Sequence, residues 1–368
     1  MNKRWCVCVV CLVVLAACVA EPMPAPSQMP AEVLQPTSVQ TVRPVRVMTH
    51  DSFDISEDMV AAFEEQFGAE VQILQSGDAG VMVNQAILSA DNPLADVIFG
   101  IDNTLLSRVL DAGILESYPS PLLDEIPDQL ELDPQNRALP VDFGDVCLNY
   151  DRIWFDERGI APPDELEDLV ASDYNGLTVV QNAATSSPGL AFLLVTIGYF
   201  GESGEYSWLD YWRDLRANDV LVVDGWEDAY WGQFTYGSGG AGDRPIVVSY
   251  ASSPPAEVLF SEEEFEEAPT QAVTADGACF RQIEFVGILK GAQNRDLAEA
   301  WVDFTLSKPF QEDIPLHMFV FPANETADLP KVFVDFAQIP EHPVDVGYAS
   351  IEANREVWLT AWTDTVLR

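Results

Sequence analysis

The chain has 368 residues, with 18 Lys and Arg against 60 Asp and Glu, for a net charge of −42. Such a charge repels nucleic acid and anionic lipid and attracts small cations. Apolar residues make up 48 % of the sequence, so the acidity clothes a full core and does not describe an acidic disordered tail; a solvated acidic surface, as salt adaptation produces, is the plain reading of most of it.

Lys3 and Arg4 precede the apolar run VCVVCLVVLAA, which is short for a membrane span. Residues 1–17 therefore read as a leader. Leu15-Ala16-Ala17-Cys18 places cleavage before Cys18 and a lipid on its thiol. An ordinary signal peptide with an incidental cysteine is the competing reading. Residues 18–43 are rich in Pro and read as a tether. No later stretch is long and apolar enough to span a bilayer, so the expectation is an extracytoplasmic protein held to the cell membrane by its lipid anchor. Of the six cysteines, Cys6, Cys8, Cys11 and Cys18 belong to leader and anchor. Cys147 and Cys279 remain, either as a disulfide or as two buried thiols.

The roughly 325 residues beyond the tether are enough for two lobes. PVRVMTH reads as a strand. SEDMVAAFEEQFG reads as a helix, with Ser56 as N-cap, apolar Met59, Val60, Phe63 and Phe67, and Gly68 as stop. A strand (AEVQILQS), a helix (GVMVNQAILSA), a strand (ADVIFGID) and a helix ending at Gly113 follow. Alternating strand and helix imply a parallel sheet with ligand at the carboxyl ends of its strands. Those ends carry His50-Asp51-Ser52, Ser76-Gly77-Asp78 and Asp102-Asn103. Any one alone is more simply a helix cap. Three in consecutive units should converge on one rim, which favours a ligand site.

LPVDFGDVCLNYD is a strand suited to crossing between lobes. DELEDLVASDYNG reads as an amphipathic helix, and LTVVQNAATSSPGLAFLLVTIGYFG as strand, polar loop and long helix. DVLVVDGWEDAYWGQF gives strand, turn and helix; RPIVVSYASSPPAEVLF another strand and turn; CFRQIEFVGILKGAQNRDLAEAWVDFTLS a strand, turn and helix. GSGGAG, Gly237 to Gly242, follows a helix and precedes a strand, the reverse of a phosphate loop, and reads as a flexible loop. Three turns carry aromatics: Asp224-Gly225-Trp226, Ser249-Tyr250-Ala251 and His317-Met318-Phe319. Each alone is more often core, but together with carboxylates they would form a box for an aromatic or quaternary cation. Catalysis fares poorly. The three histidines form no HExxH, no GxSxG occurs, and the one CxxC, Cys8-Val9-Val10-Cys11, lies in the leader. His50, Asp51 and Ser52 are no triad, because neighbours on a strand point to opposite faces.

The motifs THDSF, DVIFGIDNTLL, SSPGL, VVDGWEDAY, VVSYASSP and IPLHMFVFPAN occur in the order and near the spacing of thiamine-binding proteins of bacterial ABC importers. The chain resembles that family over roughly residues 44 to 368. The resemblance implies an α/β, two-lobed periplasmic-binding-protein fold of type II (Venus-flytrap) with two chain crossings. Lobe one would hold residues 44–142 and 281–368, and lobe two residues 143–280. It implies a non-enzymatic binding protein without cofactor. The ligand would be thiamine, thiamine monophosphate or thiamine diphosphate, delivered to the permease and ATPase subunits of an importer by a monomer. His50, Asp51, Asp78 and Asp102 would face the cleft from lobe one, Ser186, Trp226 and Tyr250 from lobe two, and Phe319 from the returning chain. Trp226, Tyr250 and Phe319 would stack on the ligand's rings, Asp78 would balance its charge or bond the aminopyrimidine, and Ser186 would meet the hydroxyethyl arm or its phosphate. Cys147 and Cys279, one on each crossing, would be joined. The sequence departs from the enterobacterial pattern, which has Tyr at His50, Trp at Phe319 and Tyr at Ala256. Other ligands remain open, ferric ion among them, although the paired tyrosines of ferric-binding relatives are missing; an enzyme on the same fold is the further alternative.

Overall fold

A computed structural model describes residues 42–368 of the chain. The leader, Cys18 and the tether up to residue 41 lie outside the described residues. The first strand, β1 (Arg43–Thr49), starts one residue before the expected tether boundary, and Arg43 pairs with Asp296 at 2.7 Å. Three βα units follow: β1 with α1 (Glu57–Phe67), β2 (Ala69–Gln75) with α2 (Ala79–Leu88), and β3 (Val97–Asp102) with α3 (Leu106–Ala112). Ser56 caps α1 by accepting from the Met59 amide, and Phe63 carries the helix into the core. All six residues of β3 are buried, as a strand covered on both faces requires.

After the short β4 (Leu115–Glu116), the thirteen-residue β5 (Leu139–Asp151) runs into the second half. That half holds α4 (Arg152–Arg158), β6 (Thr178–Gln181), α5 (Ser187–Phe200), α6 (Trp208–Ala217), β7 (Leu221–Val223), β8 (Ile246–Tyr250), α7 (Pro254–Leu259) and β9 (Thr270–Val273). The ten-residue β10 (Phe280–Leu289) returns, followed by α8 (Arg295–Leu306), α9 (Lys308–His317), β11 (Phe321–Pro322), α10 (Lys331–Phe336) and α11 (Tyr348–Val366). The strand order is β2-β1-β3-β10-β5-β8-β6-β7. β1 is parallel to β2 and β3, and β6 to β7 and β8, while β5 and β10 are antiparallel to each other. β10 also pairs with β3, and the far end of β5 with β8 and β9. These two long strands are therefore shared by both halves, as in a two-lobed solute-binding fold. Cys147 on β5 and Cys279 beside β10 form a disulfide across 132 residues of sequence.

Two expectations are corrected. The segment DELEDLVASDYNG is two short 3₁₀ turns, Leu166–Val170 and Ser172–Tyr174, and not one amphipathic helix. Ala171 between them is extended, and the Asn218 amide donates to the carbonyls of Leu169 and Ala171, which a continuous helix would have used internally. The C-terminal helices were expected on lobe one, yet α11 runs onto α6 of the second half. Its Trp362 meets Trp212 edge-on at 5.6 Å, and Trp358 donates to Glu202 at 2.8 Å. The apolar stripe of α11 (Ile351, Trp358, Trp362, Val366) is legible in sequence, but a stripe does not say which surface it covers.

Candidate functional site

A cavity of about 400 Å³ opens where the carboxyl ends of β1 and β2 face the crossing strands and the start of α5. This lies within the range of small-molecule sites. Of the expected residues, His50, Asp51, Asp78, Trp226, Tyr250 and Phe319 line it.

His50 leaves β1 against β3 at Gly100, whose φ is +100°; a Cβ there would lie 2.3 Å from the His50 Cδ2. Gly100 thus clears the space the imidazole occupies. His50 Nε2 lies 3.4 Å from Glu284 Oε1 on β10. Burial alone would depress the imidazole pKa, but the carboxylates of Glu284, Asp78 and Asp51 outweigh it and the value is raised.

Asp78 stands at the start of α2, yet its carboxylate reaches across to the second half. Oδ1 accepts from the Ser187 amide at 2.9 Å and Oδ2 from the Trp226 amide at 3.1 Å. Burial pushes its pKa up to about 6, against the pull of those bonds and of Ser186. The backbones meet closely beside it: a Cβ on Gly80 would lie 2.5 Å from the Thr185 carbonyl oxygen. Asp78 is therefore a tie between the halves as well as a wall of the cavity.

Trp226 stands two residues ahead of a π turn, Asp228–Gln233, which takes the place of the expected regular helix. Its indole stacks on Tyr230 at 4.8 Å and 17°, and its Nε1 donates to Ser249 Oγ at 3.0 Å. Trp231 stands edge-on to both rings. The wider turn brings Tyr230 and Trp231 to the cavity beside Trp226, a use for which π turns recur. Tyr250 donates to Gln282 Oε1 at 2.7 Å. Phe319 sits at φ 55°, unusual for an aromatic residue, and meets Phe260 edge-on at 5.5 Å.

Asp102 and Ser186 stand one layer behind. Asp102 is fully buried; its Oδ1 accepts from Thr104 and the Leu105 amide, and its Oδ2 from the Gln282 amide group at 2.5 Å. It orients a lining residue and does not line the cavity itself. Ser186 caps α5 by accepting from the Gly189 amide at 3.5 Å and is 2 % exposed. Sequence reasoning missed Asp142, Gln282 and Glu284, which form the floor. Asp142 and Gly144 on β5 are register partners of Glu284 and Gln282 on β10. Polar residues at i and i+2 on otherwise apolar crossing strands were the available signal. Burial and the facing Glu284 carboxylate push the Asp142 pKa well up.

The cavity thus carries six carboxyl groups, from Asp51, Asp54, Asp78, Asp142, Glu227 and Glu284. Seven aromatic side chains stand with them: Phe53, Trp226, Tyr230, Trp231, Tyr250, Phe260 and Phe319. Among the described residues, no Lys or Arg lines it. Two lobes joined by crossing strands around a cleft of this kind define a solute receptor. The chain belongs to the bacterial extracellular solute-binding protein family, whose model matches residues 92–335. It is 29 % identical over 328 residues to the thiamine-binding periplasmic protein of Escherichia coli (strain K12), covering 88 % of this chain and 93 % of that protein. Its fold matches that of a periplasmic thiamin binding protein with a TM-score of 0.77 and 25 % identity, over 91 % of this chain and 100 % of the other. A more distant relative, the iron uptake protein A1 of Synechocystis sp. (strain ATCC 27184 / PCC 6803 / Kazusa), is 21 % identical over 78 % of this chain and 77 % of its own length. The chain is an extracytoplasmic binding protein of the ABC-importer kind.

Proposed function

We propose that this protein captures thiamine between its two lobes and hands it to the permease and ATPase subunits of an importer. The observation that carries the reading is the cavity's composition, aromatic rings and carboxyl groups without a single lining Lys or Arg among the described residues. Thiamine is a flat aromatic cation, and rings with carboxylates are what such a cation binds. The thiamine-binding names of relatives spanning most of the chain support the same ligand. Trp226, Tyr250 and Phe319 are the ring contacts in this reading; His50, Asp51 and Asp78 are the polar ones. Asp102 and Ser186 act through Gln282 and through Asp78. A ferric ion fits less well, because the described residues gather no group of three or more His, Cys, Asp or Glu able to hold a metal ion. Six carboxyl groups line the cavity and no Lys or Arg stands there among the described residues to meet a phosphate, so free thiamine is the better ligand. Residues 1–17 serve as leader, Cys18 as lipid anchor and the following segment as tether, and the receptor works as a monomer.

The test is mass spectrometry of ligand co-purifying with the protein, followed by calorimetric titration of the emptied protein. Thiamine is expected in the first and saturable 1:1 binding in the second. A different co-purified molecule, together with no heat on adding thiamine, would sink the proposal.

A further inference from the structure

Asp142 and Glu284 are directly opposed on adjacent antiparallel strands. Like charges in that position destabilise a sheet. Here both face the cavity, and Asp142 is 1 % exposed. Its Oδ2 has no hydrogen-bond partner among the described residues. The surroundings offer little relief. His50 from the end of β1 approaches Glu284, while Asp51, Asp78 from α2 and Asp102 from β3 add negative charge. Tyr250 from β8 is neutral, and His317 from α9 stands at the rim, beside Asp54. Arg281, the nearest arginine in sequence, alternates to the other face of β10 and is held by Asp145. Asp142 is buried, and the Glu284 side chain is 14 % exposed. No Lys or Arg lines the cavity among the described residues, and the single imidazole of His50 stands on the Glu284 side. The two opposed carboxyls therefore hold one proton between them, as like charges in that position do not both ionise.

We propose that the Asp142–Glu284 pair is the subsite for the ligand's fixed positive charge, and that filling it expels the proton the pair shares. This rests on the thiamine reading given above. The accounting is simple. Empty, the pair carries one proton and a charge of about −1. Filled, the Asp142 O–H gives its proton to solvent, both carboxylates are ionised, and the ligand's positive charge restores the same total. The crossing strands are shared by both lobes, so the charge is recognised at the one part of the cleft that closure does not rebuild.

The experiment is calorimetric titration of the full-length protein with thiamine at pH 7, in two buffers of different ionisation enthalpy. The difference in heat counts protons. Close to one proton is expected to leave per thiamine bound, and affinity should rise with pH by up to tenfold per unit. In Asp142→Asn, which keeps the shape and cannot ionise, release should vanish and the pH dependence should flatten. In His50→Asn the release should persist. Should Asp142→Asn not fold, Glu284→Gln disrupts the same pair and carries the same expectation. Thiamine binding by the wild type without proton release overturns the inference and leaves the thiamine reading standing. Release that persists in Asp142→Asn, or that disappears in His50→Asn alone, overturns it too, by moving the proton to another group. No thiamine binding by the folded wild type overturns the reading and the inference together.

Discussion

The two sides of the cavity are built from different chemistry. The first half and the crossing strands supply charge: Asp51, Asp54 and Asp78 with His50 and His317, then Asp142 and Glu284. The second half supplies surface: Trp226, Tyr230, Trp231, Tyr250 and Phe260, with Glu227 as its one lining acid. Neither side alone is a box for an aromatic cation. Carboxylates open to water hold a cation weakly, because solvent screens the pair, and an exposed indole has only its face to offer. Brought together, the rings exclude water from the charges, and each becomes worth more. Asp78 is the residue that belongs to both sides, through its bonds to the Ser187 and Trp226 amides.

That division can be attacked from either side. The largest effect concerns the tie itself. The Asp78 carboxyl has its pKa raised to about 6 in the folded protein by burial, against an ordinary value of 3.8. Between those values the native state binds more protons than the unfolded one, so the contribution of Asp78 to stability falls as pH rises from about 4 to about 6 and is flat above. Removing the group in Asp78→Asn should flatten that limb. The stability difference between wild type and variant, from urea melts of ligand-free protein at each pH, should fall by ~3 kcal/mol across the window. A difference that is constant with pH would mean that the carboxylate is not held as described.

Next in size is the ring side. Trp226→Ala should weaken thiamine binding by ~1–3 kcal/mol, and should weaken an uncharged isostere of thiamine by a similar factor, because stacking area is lost for both. Calorimetry with both ligands decides it; normal affinity in a folded variant would remove Trp226 from the site. Smaller again, Asp78→Asn should weaken thiamine by ~1 kcal/mol and leave the uncharged isostere nearly untouched, since one of several charges opposite the cation is gone. Equal losses for both ligands would show that Asp78 acts on closure alone. The smallest expected effect is none. Cutting the chain before Val42 should leave affinity unchanged, because β1 begins only at Arg43; a loss of tenfold or more would show that the earlier residues bear on the cleft.

The sequence carried the elements whose signals are local. Ser56 and Gly68 bound α1, Ser186 and Pro188 start α5, and β5 spans the same thirteen residues its apolar run suggested. It also placed the strand-end residues of the first half on one rim, since βα succession alone brings His50, Asp51 and Asp78 there. What it hid depends on register and on distant partners. Asp142 and Glu284 are 142 positions apart in number and opposed only because β5 and β10 pair as they do. Asp102 sits at a strand end like the others, but Gln282 closes over it, and nothing near it in sequence announces that. The two 3₁₀ turns exist because Asn218 takes their carbonyls, and α11 leaves the first half because α6 offers Trp212. The six ordered motifs supplied the family, where periodicity alone would have stopped at a two-lobed α/β protein.

The disulfide has a consequence for how the chain is made. Cys147 and Cys279 lie 132 positions apart and bracket nearly all of the second half, so the bond draws that segment shut at its neck. In the chain-entropy picture, closing so long a loop removes ~5 kcal/mol of freedom from the unfolded chain. During synthesis Cys147 is complete well before its partner, and it stays unpaired until the last strands of the segment have followed. A chain cut short between residues 147 and 279 therefore keeps the Cys147 thiol free, and a chain that closes the bond does not. The same pair that fastens the crossing strands is thus a chemical mark of completeness, readable by any thiol-reactive agent in the compartment where the protein matures.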